Sequence, residues 1–331
     1  NNKDLNIYFF SNLNTLFSFS PRLPKPGETL IGTKYEIKYG GKGANQCVAA
    51  AKLGATTAIV ASLGSDTYAQ EYLKIFKEEN IDVSQVQIQP DQHSGIAHIT
   101  VTESGEIWFY KLIVLGSNAL MSSNFVDSTI NMIKNASILL CQFEVPLEIT
   151  LHLSLVMFYS SMKHILIYGN SEFIFNLILQ EPSSIQQAVE KFLDKGCNIV
   201  IITLGEQGAV YASQSDRAIK KVCTTRVQPV DTTGAGDAFL GALAYFKAYH
   251  PALSMDECIR RACVVATDSV LKFGTHASFP NRSSLSPDLF IWRSLPESYA
   301  QKLVESMPKR CQAIIANGGD WTPYCNSVLV F

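Results

Sequence analysis

Apolar and polar positions follow two different periods along this chain. Asn6-Ile7-Tyr8-Phe9-Phe10 is a short, nearly unbroken apolar run, the pattern of a buried strand. Thr57 to Leu63 and Ser137 to Phe143 repeat it, and Asn198 to Thr203 is almost wholly apolar, as expected at the centre of a parallel sheet. Between these runs the period lengthens. Residues 43–53, Gln70 to Glu79, Ser184 to Lys195, Ala238 to Tyr249 and Met255 to Val270 read as helices, the first and third stopped by Gly54 and Gly196. Alternating strands and helices imply an α/β fold with a doubly wound, mainly parallel sheet flanked by helices. Two stretches break the rhythm. Residues 16–39 alternate loosely and carry Pro21, Pro24 and Pro26, while Gly95 to Leu115 holds two strand-like runs around a Glu103-Ser104-Gly105 turn. With no helix to follow them, they read as a small β-sheet lid standing off the main sheet. Residues 1–290 are thus one domain. Residues 291–331, with Gly318, Gly319, Asp320 and Pro323, read as an irregular C-terminal tail without an assigned role.

Composition narrows the function classes. The chain has 331 residues, and 47% hydrophobic content suffices for a sizeable core. A formal net charge of −2 leaves no electrostatic footprint for nucleic acid or an acidic membrane. The most apolar region, 147–180, is interrupted by Glu148, His152, Lys163, His164, Asn170 and Glu172, so a membrane helix is not expected. Cys47, Cys141, Cys197, Cys223, Cys258, Cys263, Cys311 and Cys325 form no CxxC pair or Cys/His cluster, which argues against zinc and for free thiols in a reducing compartment. With no signal-peptide pattern, the expected location is the cytoplasm, with the nucleus also open.

Chemistry concentrates in two glycine-rich turns. Asp231-Thr232-Thr233-Gly234-Ala235-Gly236-Asp237 places small residues ahead of a carboxylate and opens an apolar, helix-like segment. Backbone N–H groups at a helix start lack partners and carry partial positive charge, so they hold anions. Asp237 would then lie within reach of a substrate hydroxyl, and an anion cradle beside a base is the minimum equipment for moving a phosphoryl group onto an alcohol. The alternative is a carboxylate that only offsets the helix dipole. The second turn, Gly40-Gly41-Lys42-Gly43-Ala44-Asn45-Gln46, also feeds a helix, and Lys42 and Asn45 offer donors to a polyhydroxy ligand.

Together the two turns resemble the signatures of the carbohydrate kinase family that contains ribokinase, fructokinase and adenosine kinase. Arg22-Leu23-Pro24-Lys25-Pro26-Gly27-Glu28-Thr29 adds to the likeness, which runs from about residue 5 to about residue 290. The resemblance, strongest to the ribokinase branch, implies ATP-dependent phosphorylation of D-ribose to D-ribose 5-phosphate, with Asp237 as base and Gly234, Ala235 and Gly236 as the anion hole. It implies sugar contacts from Gly41, Lys42, Gly43, Ala44, Asn45 and Glu144. It places ATP against Thr203, Leu204, Gly205, Glu206, Gln207, Gly208, Gly236, Asp237 and Cys263. An activating potassium ion would be held around Asp231, Thr233, Ser269, Lys272, Gly274 and Ser278. Mg²⁺ would bridge the ATP phosphates. An exposed lid edge implies a homodimer through the lid.

Three departures from the family pattern stand out. The opening strand ends at Phe10 rather than glycine, and the place of a sugar-gripping aspartate falls on Thr15, preceded by Asn14. Residues 147–183 are shorter than the pattern, and its Asn-x-x-Glu element survives only as Gly169-Asn170-Ser171-Glu172, with the spacing wrong by one. Residues 291–331 have no counterpart. These departures leave two rival readings: a kinase for another sugar or a nucleoside, and a catalytically impaired binding protein on the same fold.

Overall fold

The structure, a computed structural model, describes residues 6–10, 13–22, 25–102, 110–142, 144–158, 164–168, 185–291 and 326–330. In chain order its strands are β1 (Asn6–Phe10), β2 (Leu13–Ser20), β3 (Lys34–Gly40), β4 (Thr56–Gly64), β5 (Asp82–Gln89), β6 (Ile96–Thr102), β7 (Tyr110–Val114), β8 (Ile138–Gln142), β9 (His164–Tyr168), β10 (Ile199–Thr203), β11 (Ala209–Ser213), β12 (Asp216–Val222) and β13 (Asn326–Val330). The helices are α1 (Lys42–Lys52), α2 (Thr67–Glu78), α3 (Ser123–Ile133), α4 (Leu147–Phe158), α5 (Ile185–Asp194), α6 (Ala235–Tyr249) and α7 (Met255–Ser269).

Nine strands form the main sheet in the order β12-β11-β10-β13-β9-β8-β1-β4-β5, and β3-β2-β6-β7 form a separate four-stranded sheet. From β5 to β10 every pairing in the main sheet is parallel. Period-2 alternation sends successive side chains to opposite faces. Ile7, Phe9, Ile59, Ala61, Ile138 and Leu140 meet α1, α6 and α7 on one face. Tyr8, Ala58, Val60, Leu139 and Cys141 meet α3 and α4 on the other. Helices on both faces hide the sheet from water, which is why its strands read as continuous apolar runs.

Three expectations need correction. The lid sheet exists, but its first strand begins at Leu13 rather than at residue 16. The strand ending at Thr203 does not sit in wholly parallel surroundings, because β10 pairs parallel with β13 and antiparallel with β11. The tail is not irregular throughout. Residues 326–330 form β13, which enters the sheet between β9 and β10 and pairs parallel with both. The two consecutive strands β9 and β10 thus leave a gap one strand wide, and the far end of the chain fills it. The Glu103-Ser104-Gly105 turn, the 169–172 remnant and the 318–323 glycines lie outside the described residues.

Candidate active site

Helices α1 and α6 begin at the same place, and their first turns face each other. The contact that brings them together is a glycine. A Cβ on Gly241 of α6 would lie 2.6 Å from the Gln46 carbonyl oxygen and 2.8 Å from the Ala49 Cβ, so only glycine admits this approach. Across it, Asn45 Nδ2 donates to Asp237 Oδ2 at 2.8 Å and Gln46 Nε2 donates to Asp237 Oδ1 at 2.9 Å. Glu144, just beyond β8, accepts from the Lys42 backbone N–H at 2.8 Å. The glycine-rich turn at 40–46, the β8 end and the start of α6 therefore converge on one carboxylate.

Asp237 is only 8% exposed. Burial pushes its pKa up to about 6, against the two amide hydrogen bonds that favour the ionised form; Glu144 pushes it further up and Lys42 pulls it down. A carboxylate poised there is mostly ionised near neutral pH yet basic enough to take a proton.

Beside it, Gly234 caps α6 in the left-handed region at φ 80°. The Ala235 N–H is drawn to the Thr232 carbonyl at 3.2 Å, and the first intrahelical bond runs from the Ala238 N–H to Gly234. That leaves the Gly236 and Asp237 N–H groups, in the first helical turn, with no intrahelical acceptor. Both fall at the positive end of the helix, suited to an anion. Gly236 also lines a pocket of about 330 Å³, together with Thr203, Gly205, Gly208, Cys263, Ala266 and Val270 among others.

A model of the pfkB family of carbohydrate kinases matches residues 6–123 and 164–282. The chain belongs to that family. The kinase is 34% identical over 297 residues to the ribokinase of Mus musculus, spanning 83% of this chain and 91% of that protein. It is 34% identical over 286 residues to the ribokinase of Haemophilus influenzae, spanning 79% and 90%. Its fold superposes on Giardia lamblia ribokinase with a TM-score of 0.76 at 22% identity, covering 85% and 97% of the two chains. Arabidopsis thaliana ribokinase, complexed with ribose and ATP, gives 0.74 at 24% identity, covering 85% and 97%. The family match stops at 123 and resumes at His164, inside the stretch where the sequence departs from the family texture.

Most of the residues singled out in the kinase's sequence gather here, with exceptions. Gly41, Lys42, Asn45, Glu144 and Asp237 share one centre. Ala44 is fully buried in the core. Within the 204–208 turn, Gly205, Glu206 and Gly208 line the pocket, whereas Leu204 packs against the cluster under α5 and Gln207 accepts from Lys221 at 3.3 Å. Asn14 and Thr15 lie in β2, in register with Tyr39 and Lys38. The loops to which the resemblance assigns a cation are tied together by Asp231, which accepts from the Thr233 and Gly274 N–H groups at 2.9 Å each. Burial raises the Asp231 pKa, but these bonds outweigh it and the net shift is downward. The Ser269 and Ser278 hydroxyls donate to the Ala266 and Thr275 carbonyls, and the Lys272 ammonium turns to Asp268.

Sequence reasoning missed Gln46 and Gln142 as parts of the site, and missed the pocket wall at Thr224, Thr225, Val227, Pro229, Thr232 and Thr267. A signal for the glutamines existed. One follows Asn45 in the first turns of the alanine-rich helix and the other ends an otherwise apolar strand, and a buried amide is costly unless hydrogen-bonded. Thr224 to Thr232 follow β12 in a loop with no periodicity to read, and Thr267 lies on α7, whose periodicity says only that it is a helix.

Proposed function

We propose that this kinase transfers the γ-phosphoryl group of ATP to the primary hydroxyl of D-ribose. Asp237 accepts the hydroxyl proton as the oxygen attacks phosphorus, the bond to the β-phosphate oxygen breaks, and D-ribose 5-phosphate and ADP leave. One observation carries the reading: a single buried carboxylate is hydrogen-bonded to the sugar-type motif through Asn45 and sits one residue from the wall of the neighbouring pocket at Gly236. The Gly236 and Asp237 N–H groups would offset charge on the transferring phosphoryl group. Asn45 supports the sugar assignment, because its buried Oδ1 has no partner among the described residues and can accept from a ligand hydroxyl.

Mg²⁺ would neutralise charge on the ATP phosphates when bound with the nucleotide. Potassium fits the 231–233 and 269–278 loops in donor chemistry, since they are rich in hydroxyl and carbonyl oxygens and Asp231 holds them together. A cation there would stiffen the start of α6 rather than touch the sugar. The lid edges carry exposed apolar side chains, Tyr35 on β3 and Leu112 on β7 at 72% and 64% exposure, which supports a homodimer through the lid.

The test is ATP-dependent phosphorylation of D-ribose by the purified chain with Mg²⁺, in potassium against sodium buffer. Potassium-stimulated ribose 5-phosphate is the expected product. A specific observation keeps one second reading: the Salmonella typhi relative, 29% identical over 82% of this chain, is a deoxyribokinase. A higher kcat/KM for 2-deoxyribose than for ribose would favour that substrate, and ATP binding without turnover of any sugar would favour the impaired binding protein.

A further inference from the structure

The side of Asp237 that faces the protein interior is built as carefully as the side that faces the sugar. Gln46 and Gln142 are both fully buried. Ile138 and Leu140 of β8 pack on the α1 and α6 face, so period-2 alternation directs Gln142 to the same face. There Gln142 Nε2 donates to Gln46 Oε1 at 2.5 Å, and Gln46 Nε2 donates to Asp237 Oδ1 at 2.9 Å.

We propose that Gln142 is a positioning residue which, by holding the Gln46 amide in one orientation, keeps a donor aimed at Asp237. The inference rests on the reading of Asp237 as the base. An ionised carboxylate only accepts hydrogen bonds, so Gln46 must turn its NH₂ toward Asp237. Its carbonyl then points the opposite way, into the buried interior. Gln142 supplies the donor that carbonyl needs. Were Gln46 to turn over, its carbonyl oxygen would face the carboxylate and an NH₂ would face another NH₂. Two amides in series therefore admit one arrangement, and the β8 end becomes the anchor for the catalytic carboxylate. The ionisable groups that act on Asp237 from the packed elements are Lys42, at the start of α1, and Glu144, after β8.

The experiment measures kcat, the KM values for ribose and ATP, and the pH profile for the wild type, Gln142→Met, Gln46→Met and the double variant. Methionine matches glutamine in volume and cannot donate. Gln46→Met is expected to lower kcat about thirtyfold and Gln142→Met about tenfold, with both KM values within twofold. Both should move the acid limb of kcat/KM to higher pH, because the ionised carboxylate loses a donor. The double variant should behave as Gln46→Met alone, since Gln142 acts only through Gln46. A purely structural role for Gln142 would lower the yield of folded protein and leave the acid limb where it is. An unmoved acid limb in Gln142→Met, or additive losses in the double variant, overturns the inference. Should Gln46→Met fail to fold, the acid limb of Gln142→Met decides alone. Asp237→Asn separates the two levels: if that variant keeps turnover, the base reading falls and this inference with it, whereas an inactive Asp237→Asn beside an unmoved limb in Gln142→Met overturns the inference only.

Discussion

Replacing Asp237 with asparagine should make the protein inactive and more stable at once. Burial raises the carboxyl pKa from its ordinary 3.8 to about 6. A group whose pKa is higher in the folded than in the unfolded chain binds its proton more tightly when folded. Its stabilising contribution is complete below about pH 4 and is lost as the pH rises through 6. Above that, the ionised carboxylate costs the fold roughly 3 kcal/mol, taking about 1.36 kcal/mol per pKa unit. Asparagine is neutral throughout and avoids the cost. Its own NH₂ has an acceptor waiting, because Asn45 Oδ1 is buried without a partner among the described residues, and a turn of the Asn45 amide pairs the two. Thermal melts of Asp237→Asn and wild type at pH 7.5 should differ by roughly 6 °C in favour of the variant, at about 2 °C per kcal/mol for a chain of this size. At pH 5 the gap should shrink to roughly half. Ribose phosphorylation should fall at least about a hundredfold with ATP binding nearly unchanged. A variant that melts below wild type at pH 7.5, or a gap that does not change with pH, refutes the argument that burial sets the state of this carboxylate.

Three further outcomes follow from the geometry. Gly241→Ala puts a Cβ 2.6 Å from the Gln46 carbonyl oxygen; it should cost about 1–3 kcal/mol of stability and at least tenfold in kcat as α1 leans away from Asp237, and wild-type melting and kcat would show that the helices do not need this approach. Asp231→Asn removes one of the two charged acceptors that join the Thr233 and Gly274 N–H groups, so the ratio of activity in potassium to that in sodium should drop toward one; an unchanged ratio would detach this aspartate from the cation response. Deleting residues 326–331 removes β13 and leaves β9 and β10 without the strand that pairs with both, so soluble yield should collapse and any remaining protein should melt early; a truncated chain with the full-length melt would mean that the sheet closes without the tail.

Much of this kinase is legible along the chain because its signals are local. The apolar run Asn6–Phe10 has the same bounds in sequence and structure, since a strand buried on both faces needs no partner to be recognised. The turns before α1 and α6 are legible for a similar reason: glycine beside lysine or aspartate at a helix start has a meaning that neighbouring residues supply. Asp237 as the candidate base, the glycine turn after β10 and the doubly wound sheet with its lid all follow from signals of this kind. Tertiary structure decided what depends on residues far apart. Asn326-Ser327-Val328-Leu329-Val330 is a weak strand pattern in a tail, and only the gap between β9 and β10 makes it part of the main sheet. The Ala235 N–H, which the sequence assigns to the anion hole, is drawn to Thr232, and only backbone geometry shows this. Gln46 reaches Asp237 across 191 residues of sequence. Short-range periodicity records which side of a helix is buried. It cannot record which buried donor meets which buried acceptor, because that pairing is made when α1, α6 and β8 pack together and water leaves.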